Sequence, residues 1–394
     1  MTAAGTPPTV TRIRLPSGEL SIDVRSDSAW KLDDLLGFGV RRNPKRGYLL
    51  VSKVLGKHVP VSPLNIRAAH RALAEQIASD LPGPVLFIGL AETATALGEG
   101  VAREWGAQTG KTQAGKTQAE RTDFTFLHTT RYRQRGELAL GFQEPHSHAS
   151  GHLVYRPAGE AGQRHFAHAR TLVLIDDELS TGTTLENLAH EYMTLNPHLK
   201  RLLLVSLTDL CPRHGELQAA LGLPVQSVSL LHGHLSFAPD PAYDLPALPP
   251  VSGNGGDKTP LLAALSARSG QDATRSPLLD AALERLLQTE AGQSVLILGT
   301  GEFQYPPYLL ALRLQLARPD LKVFNSATTR SPVLVWGQIG HALTFTDNYR
   351  DGIPNFVYNV APGGYDQVWT GYEGQAAPDP RLLELLGARS VQLA

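Results

Sequence analysis

Three consecutive acids, Asp176, Asp177 and Glu178, close an apolar run and stand directly before Ser180, Thr181, Gly182, Thr183 and Thr184 in the stretch LVLIDDELSTGTTLENL. A hydroxyl- and glycine-rich turn entering a helix suits an anion, because unpaired backbone N–H groups and the helix dipole both favour negative charge there. Carboxylates on the rim of such a turn disfavour a bare phosphate, yet they accept hydrogen bonds from vicinal hydroxyls. A sugar phosphate meets both demands.

A second strand-and-turn, VLFIGLAETATALG, places Ala91, Glu92, Thr93 and Ala94 at the entry of another helix. Taken alone, this is the pattern of a capped helix after a buried strand. Glu92 suits a metal or a neutral substrate group better than an anion, so the basic groups for a polyanion must come from elsewhere. Two segments supply them: Arg41, Lys45, Arg46, Lys53 and Lys57 in one, Arg131, His146 and His148 in the other. Any one of these residues is by default a solvated side chain; as sets they suit a polyanionic substrate. The HSH pair with His152 lacks the spacing of a structural zinc site.

The repeat GKTQAGKTQA fits the phosphate-loop pattern through Gly110, Gly115, Lys116 and Thr117. Its context fits poorly, since no apolar strand precedes it and no helix opens after it. A surface insertion is the better reading.

The elements that must position these residues are short apolar runs alternating with helix-period segments, the habit of a parallel sheet covered by helices. Val85–Leu90, Leu172–Asp176, Leu202–Leu207 and Val228–Leu231 read as buried strands. Ile66, Ala69, Leu73 and Ile77 line one helical face, and Leu185, Leu188, Ala189, Tyr192 and Met193 another, with Thr183 and Glu186 spaced as a capping box. A Pro- and Gly-rich stretch over 238–270 reads as a linker between a first domain, 1–237, and a second, 271–394. In the second, Ser276 and Pro277 cap a helix, and SVLILGTGEF is a strand followed by a glycine turn. LKVFNSATTRSP, ALTFTD and NFVYNV supply further strands.

At 394 residues the length favours two domains, and 36 Lys+Arg against 37 Asp+Glu leave no global field for nucleic acid. The single cysteine, Cys211, makes no internal disulfide, and the first residues lack a signal-peptide core. No run approaches the roughly 18 apolar residues of a membrane span. These features predict a cytoplasmic protein.

The stretch LVLIDDELSTGTT resembles the signature with which type I phosphoribosyltransferases bind 5-phosphoribosyl 1-pyrophosphate (PRPP). Together with NPKRGYLLVSKVLGKHVPV, GLAETATALG and EPHSHASGH it is similar to the subfamily linked to bacterial tellurite-resistance and stress operons. Members of that subfamily carry a C-terminal domain named for a Thr-Arg-Ser-Pro motif, here Thr329, Arg330, Ser331 and Pro332. The resemblance implies an α/β protein: a type I phosphoribosyltransferase-like parallel sheet with flanking helices, plus a second, Rossmann-like α/β domain. It further implies that Asp176 and Asp177 hold the ribose hydroxyls and Mg²⁺, that Ser180 to Thr184 wrap the 5′-phosphate, and that Ala91 to Ala94 form the pyrophosphate loop. Asp176, Asp177 and Glu92 are the catalytic candidates. Glu178 departs from the family, which usually has an apolar or small residue there.

The expected activity is Mg²⁺-dependent transfer from PRPP to a base-like or other small-molecule acceptor, making a nucleoside-like metabolite in a stress response. A homodimer and products of a stress operon are the associations this suggests. Two other readings stay open: a non-catalytic PRPP sensor working through a partner or RNA, and a C-terminal domain that is itself the enzyme. In that domain Thr329, Arg330 and Ser331, with Gly299, Gly301 and Glu302, are expected to form a second anionic-ligand site, because a guanidinium flanked by hydroxyls grips phosphate or carboxylate.

Overall fold

The computed structural model describes residues 10–25, 29–41, 46–109, 121–143, 151–244 and 256–394. Runs rich in Leu, Val and Ile, too short for helices, become central strands buried on both faces. Val85–Gly89, Thr171–Leu179, Arg201–Asp209 and Val225–Pro239 lie in parallel, with Phe124–His128 beyond the first of them. The hairpin Val10–Leu15 and Gly18–Arg25 joins antiparallel at the other edge, making a seven-stranded sheet among the described residues. Val225–Pro239 runs well past the expected Val228–Leu231, because Leu235 and Phe237 continue the alternation and pair with Ile22 and Leu20.

Helices Pro63–Gln76 and Ala94–Thr109 cover one face, burying Ala69, Leu73, Leu97, Val101 and Trp105 against Phe87, Ile175 and Val205. Glu160–His168, Thr183–Leu195 and His214–Leu221 cover the other, through Phe166, Leu185, Leu188, Tyr192 and Leu217. Both helical faces expected from spacing are the buried ones. The capping box is not formed. Gly182 is the N-cap, at φ 75°, and Glu186 turns instead to Arg213, 3.5 Å away. A glycine reaches that left-handed conformation without the strain a β-branched threonine would meet.

In the second region Lys322–Ala327, Ser294–Gly299, Gln367–Tyr372 and Arg389–Gln392 form a four-stranded parallel sheet. Pro277–Leu286 and Tyr305–Ala317 pack on one face and Pro380–Leu386 on the other. Ser276 caps its helix as expected, its Oγ accepting from the Leu278 N–H at 3.3 Å. ALTFTD and NFVYNV pair with each other, antiparallel, as Ala342–Thr346 and Pro354–Tyr358. The strands that join the sheet in their stead are Gln367–Tyr372 and Arg389–Gln392.

The two regions share structure. Val333–Leu334 pairs antiparallel with Leu36–Arg41, which pairs in turn with Tyr48–Ser52. One apolar cluster joins Val61, Ile66 and Ala96 to Tyr305, Tyr308 and Leu312, and another joins Leu49 and Val51 to Val333, Ile339 and Tyr358. Burial of Val61, Ile66 and Leu312 contributes about 1.5–3 kcal/mol each relative to exposure, so the seam has a core of its own and does not behave as a loose hinge. No helix among the described residues is long and apolar enough to cross a membrane.

Candidate active site

Parallel strands deliver their carboxyl ends to one edge, where open α/β sheets bind ligands in the loops. Asp176, Asp177 and Glu178 reach this edge half-buried and still within their strand. Asp176 Oδ1 accepts from the Asp177 N–H at 2.9 Å and from Thr93 Oγ1 at 3.4 Å, which links the acid strand to the 91–94 loop. Glu178 forms an ion pair with Arg46, whose guanidinium lies 4.9 Å from the centre of the Tyr48 ring. The third acid therefore fixes one of the basic candidates beside the other two.

Ser180 is half-buried and Thr181 exposed, and Thr183 N–H donates to Thr181 Oγ1 at 3.4 Å. A Cβ on Gly182 would meet Leu217 Cδ1 at 2.9 Å, so space as well as φ demands glycine there. Thr184 follows in the first helical turn. Arg213, which the sequence reading passed over, donates from Nη1 to the Thr181 carbonyl and to Thr183 Oγ1, both at 3.4 Å. Its signal was position, just past the end of the strand Arg201–Asp209 that neighbours the acid strand. A guanidinium against a hydroxyl turn is what a phosphate site calls for.

On the other side of the acids, the Ala91–Glu92 peptide is cis, and the Ala91 N–H donates to Thr129 Oγ1 at 2.9 Å. Thr129 Oγ1 also hydrogen-bonds His152 Nδ1 at 2.9 Å. Ala94 opens its helix, and its N–H donates to the Leu90 carbonyl. The Glu92 carboxylate accepts from Lys57 Nζ at 3.0 Å and from Thr329 Oγ1 at 2.8 Å, and its carbonyl accepts from Gln304 Nε2 at 3.0 Å. Burial alone would raise this carboxyl; the charges of Lys57 and Arg330 and the two side-chain hydrogen bonds hold it down at about 2. Beside Lys57, burial lowers His58 to about 3, with the charges of Lys57 and Arg41 adding to the effect.

Past Phe124–His128, Thr130 Oγ1 and the Arg131 N–H donate to opposite oxygens of Glu302, at 2.6 and 2.7 Å. Glu302 also accepts from Arg268 Nε at 3.0 Å, while both Nη atoms of Arg268 donate to Glu373 at 2.8 Å. This Arg268–Glu302–Glu373 cluster is fully buried, with side chains 0–2% exposed. Burial opposes the ionised Glu302, and Arg268 with the hydrogen bonds keeps it below the usual carboxylate range. Arg268 lies in the Pro- and Gly-rich stretch, where composition gave no hint of a buried guanidinium.

The Thr-Arg-Ser-Pro residues follow Lys322–Ala327 at the carboxyl edge of the second sheet, beside the end of Ser294–Gly299, as parallel pairing requires. Arg330 hydrogen-bonds the Tyr132 hydroxyl, covers its ring at 4.8 Å and lies 3.7 Å from Asp351. Ser331 N–H turns back to Thr329 Oγ1 at 3.2 Å. Gly299 is hemmed by the Phe303 carbonyl, 2.8 Å from a Cβ there, and the Gly301 N–H already donates to Thr328 Oγ1 at 3.0 Å. The turn is closed on itself. Gly301 has a partner within its own region, while Glu302, Thr329 and Arg330 face the first region.

Among the remaining candidates, Arg131 Nη2 reaches the Ala91 carbonyl at 3.5 Å, Arg41 lies opposite Val333, and Lys53 donates to the Asp33 carbonyl at 2.8 Å. Lys45, His146 and His148 lie outside the described residues, as does the GKTQA repeat.

A family model described as phosphoribosyl transferase matches residues 35–234, half of the chain, and a second, described as a TRSP domain C-terminal to that transferase, matches residues 266–387. The chain belongs to this phosphoribosyltransferase family and carries its C-terminal TRSP domain. Solved structures similar to part of it include an APRTase from Giardia lamblia, 16% identical, covering 50% of this chain and 93% of that one at TM-score 0.32. Others are a hypoxanthine phosphoribosyltransferase from Staphylococcus aureus (14% identical, 40% and 69% covered, TM-score 0.24) and one from Trypanosoma cruzi (14%, 45% and 80%, 0.25). Comparison with curated proteins gives no match.

Proposed function

We propose that the protein transfers the 5-phosphoribosyl group of PRPP to a nitrogen-containing base or other small nucleophile, releasing pyrophosphate and making a nucleotide-like metabolite that keeps the 5′-phosphate. The observation that carries this reading is one sheet edge on which Asp176 touches Thr93 of the 91–94 loop while Arg213 sits on the 180–184 turn. In this reading that turn and Arg213 bind the 5′-phosphate, Asp176 and Asp177 accept from the ribose hydroxyls, and Lys57 and Arg131 stand on the pyrophosphate side. The C1–O bond to pyrophosphate breaks as the acceptor nitrogen bonds to C1, and the acceptor loses its proton. The ring passes through an oxocarbenium-like state, so the site must hold both ends of the donor, present negative charge near the ring and exclude water. No protein nucleophile is needed.

Mg²⁺ suits the donor set. Asp176 and Asp177 offer hard oxygens, and the described residues gather no cage of three or more ligating side chains. That matches an ion held through one or two carboxylates plus substrate phosphates. When bound it would neutralise charge on the pyrophosphate. Likeness to the stress-operon subfamily supports a role in a stress response.

The test is ³¹P NMR of PRPP incubated with the protein, Mg²⁺ and a panel of nitrogenous bases. Conversion of the C1 pyrophosphate signal to free pyrophosphate, abolished by Asp176→Asn with Asp177→Asn, supports transfer. PRPP that binds but survives every acceptor points instead to a sensor.

A further inference from the structure

Beside the Arg330–Tyr132 hydrogen bond, four further side-chain contacts run from the second region to loops at the carboxyl edge of the first sheet. Thr329 Oγ1 holds the Glu92 carboxylate at 2.8 Å, and Gln304 Nε2 holds the Glu92 carbonyl at 3.0 Å. Glu302 takes the Thr130 hydroxyl at 2.6 Å and the Arg131 N–H at 2.7 Å. Glu302 is itself fixed by Arg268, and Arg268 by Glu373. Thr329, Glu302 and Gln304 are all buried, so these contacts are built into the fold and do not belong to a passing surface encounter.

We propose that Thr329 and Gln304 are positioning residues for the leaving-group side of the transferase site, so that the C-terminal region completes this site in cis. The inference rests on the phosphoribosyl-transfer reading given above. Its chemistry is a question of charge. Glu92 stands in the loop expected to meet pyrophosphate, and a carboxylate facing that group would repel it. Clamped by Thr329 and Lys57, with the charge of Arg330 nearby, the carboxylate is committed to the seam, and the backbone of the loop is fixed by Gln304. Preorganised groups of this kind stabilise developing charge without having to rearrange during reaction. The 5′-phosphate turn at 180–184 has none of these four contacts, so the two ends of the donor should respond differently when the clamp is cut.

The experiment titrates the full-length protein, with Mg²⁺, separately with inorganic pyrophosphate and with ribose 5-phosphate by calorimetry. Thr329→Val should weaken pyrophosphate about tenfold, the scale of one lost hydrogen bond to a charged group. Ribose 5-phosphate should change less than about twofold on that scale, and Thr329→Ser should restore pyrophosphate binding. Should Thr329→Val fail to fold, Gln304→Ala carries the same expectation. The proposal is overturned if the folded variant loses both ligands equally, if pyrophosphate affinity stays unchanged, or if Thr329→Ser fails to rescue. A wild-type protein that binds neither ligand overturns the transfer reading itself, and the inference with it.

Discussion

The two sheets present their carboxyl edges to the same seam, yet the acid and hydroxyl stretch on the first and the Glu302, Thr329 and Glu373 set on the second are treated in opposite ways. On the first, Asp176, Asp177, Ser180, Thr183 and Thr184 are half-buried and Thr181 is exposed. On the second, Glu302, Thr329 and Glu373 are 0–2% exposed, and each is tied to a named partner inside the protein. The same βα grammar thus yields a half-exposed stretch on one edge and a set of buried, paired groups on the other. Desolvated charges persist only when fully paired, so the closed edge is built as a support, and in the proposed reading the half-exposed acids beside a hydroxyl turn are the edge that binds.

The largest effect should fall on the support. Arg268→Leu leaves Glu302 and Glu373 buried without their common cation and should lower stability by about 3–5 kcal/mol, measured by chemical denaturation. A loss below about 1 kcal/mol, the range of an exposed pair, would dissolve the contrast between the edges. Next, Asp176→Asn with Asp177→Asn should weaken PRPP about 100-fold while leaving stability nearly intact, since each lost charged hydrogen bond accounts for about tenfold. Calorimetry decides the affinity and a melting curve the stability.

Arg213→Ala should weaken ribose 5-phosphate about tenfold with little effect on inorganic pyrophosphate, the mirror image of cutting the Thr329 clamp. Equal losses for both ligands would remove Arg213 from the 5′-phosphate end. The smallest effect concerns pH. His214 lies 2.9 Å from Asp209, which raises the histidine through their hydrogen bond; burial tends to raise Asp209, but bonds from His214 and Ser227 hold it low. The histidine's contribution is complete below its unfolded value and is lost as pH rises through its raised folded value. The aspartate's is present above its unfolded value and is lost as pH falls through its lowered one. Both therefore act together from about 4 to about 6.5. His214→Gln should flatten the alkaline fall in stability by less than about 1 kcal/mol, because the side chain is partly exposed and screened.

The open edge was legible because its information is local. Asp176 to Thr184 lie in one contiguous stretch, and the apolar runs of the central strands signal themselves. Of the closed edge, Glu302, Thr329 and Arg330 were legible as residues but their contacts were not, because the bonds span the chain: Glu92 meets Thr329 across 237 positions, and Arg268 meets Glu373 across 105. No spacing rule connects such residues, and a lone arginine in a Pro- and Gly-rich stretch reads as solvated. Arg213 fell between the two cases, near the signature in space but separated from it by a helix and a strand. Gln367–Tyr372 escaped notice because its apolar run is brief and polar-flanked, whereas ALTFTD and NFVYNV carried the stronger pattern and paired outside the parallel sheet. The capping box failed for a local reason: glycine in the turn offered a backbone conformation that made a side-chain cap unnecessary.

Amide hydrogen exchange of the full-length protein with and without PRPP and Mg²⁺ tests the division between the edges most directly. An open binding edge should gain protection over residues 91–94 and 176–184 when PRPP binds. The Gly301 and Phe303 amides, already donating to Thr328 Oγ1 and the Thr300 carbonyl, should exchange slowly in both states. Protection by PRPP confined to residues 299–303 and 329–331, with 176–184 unchanged, would contradict the account and move the ligand to the second sheet.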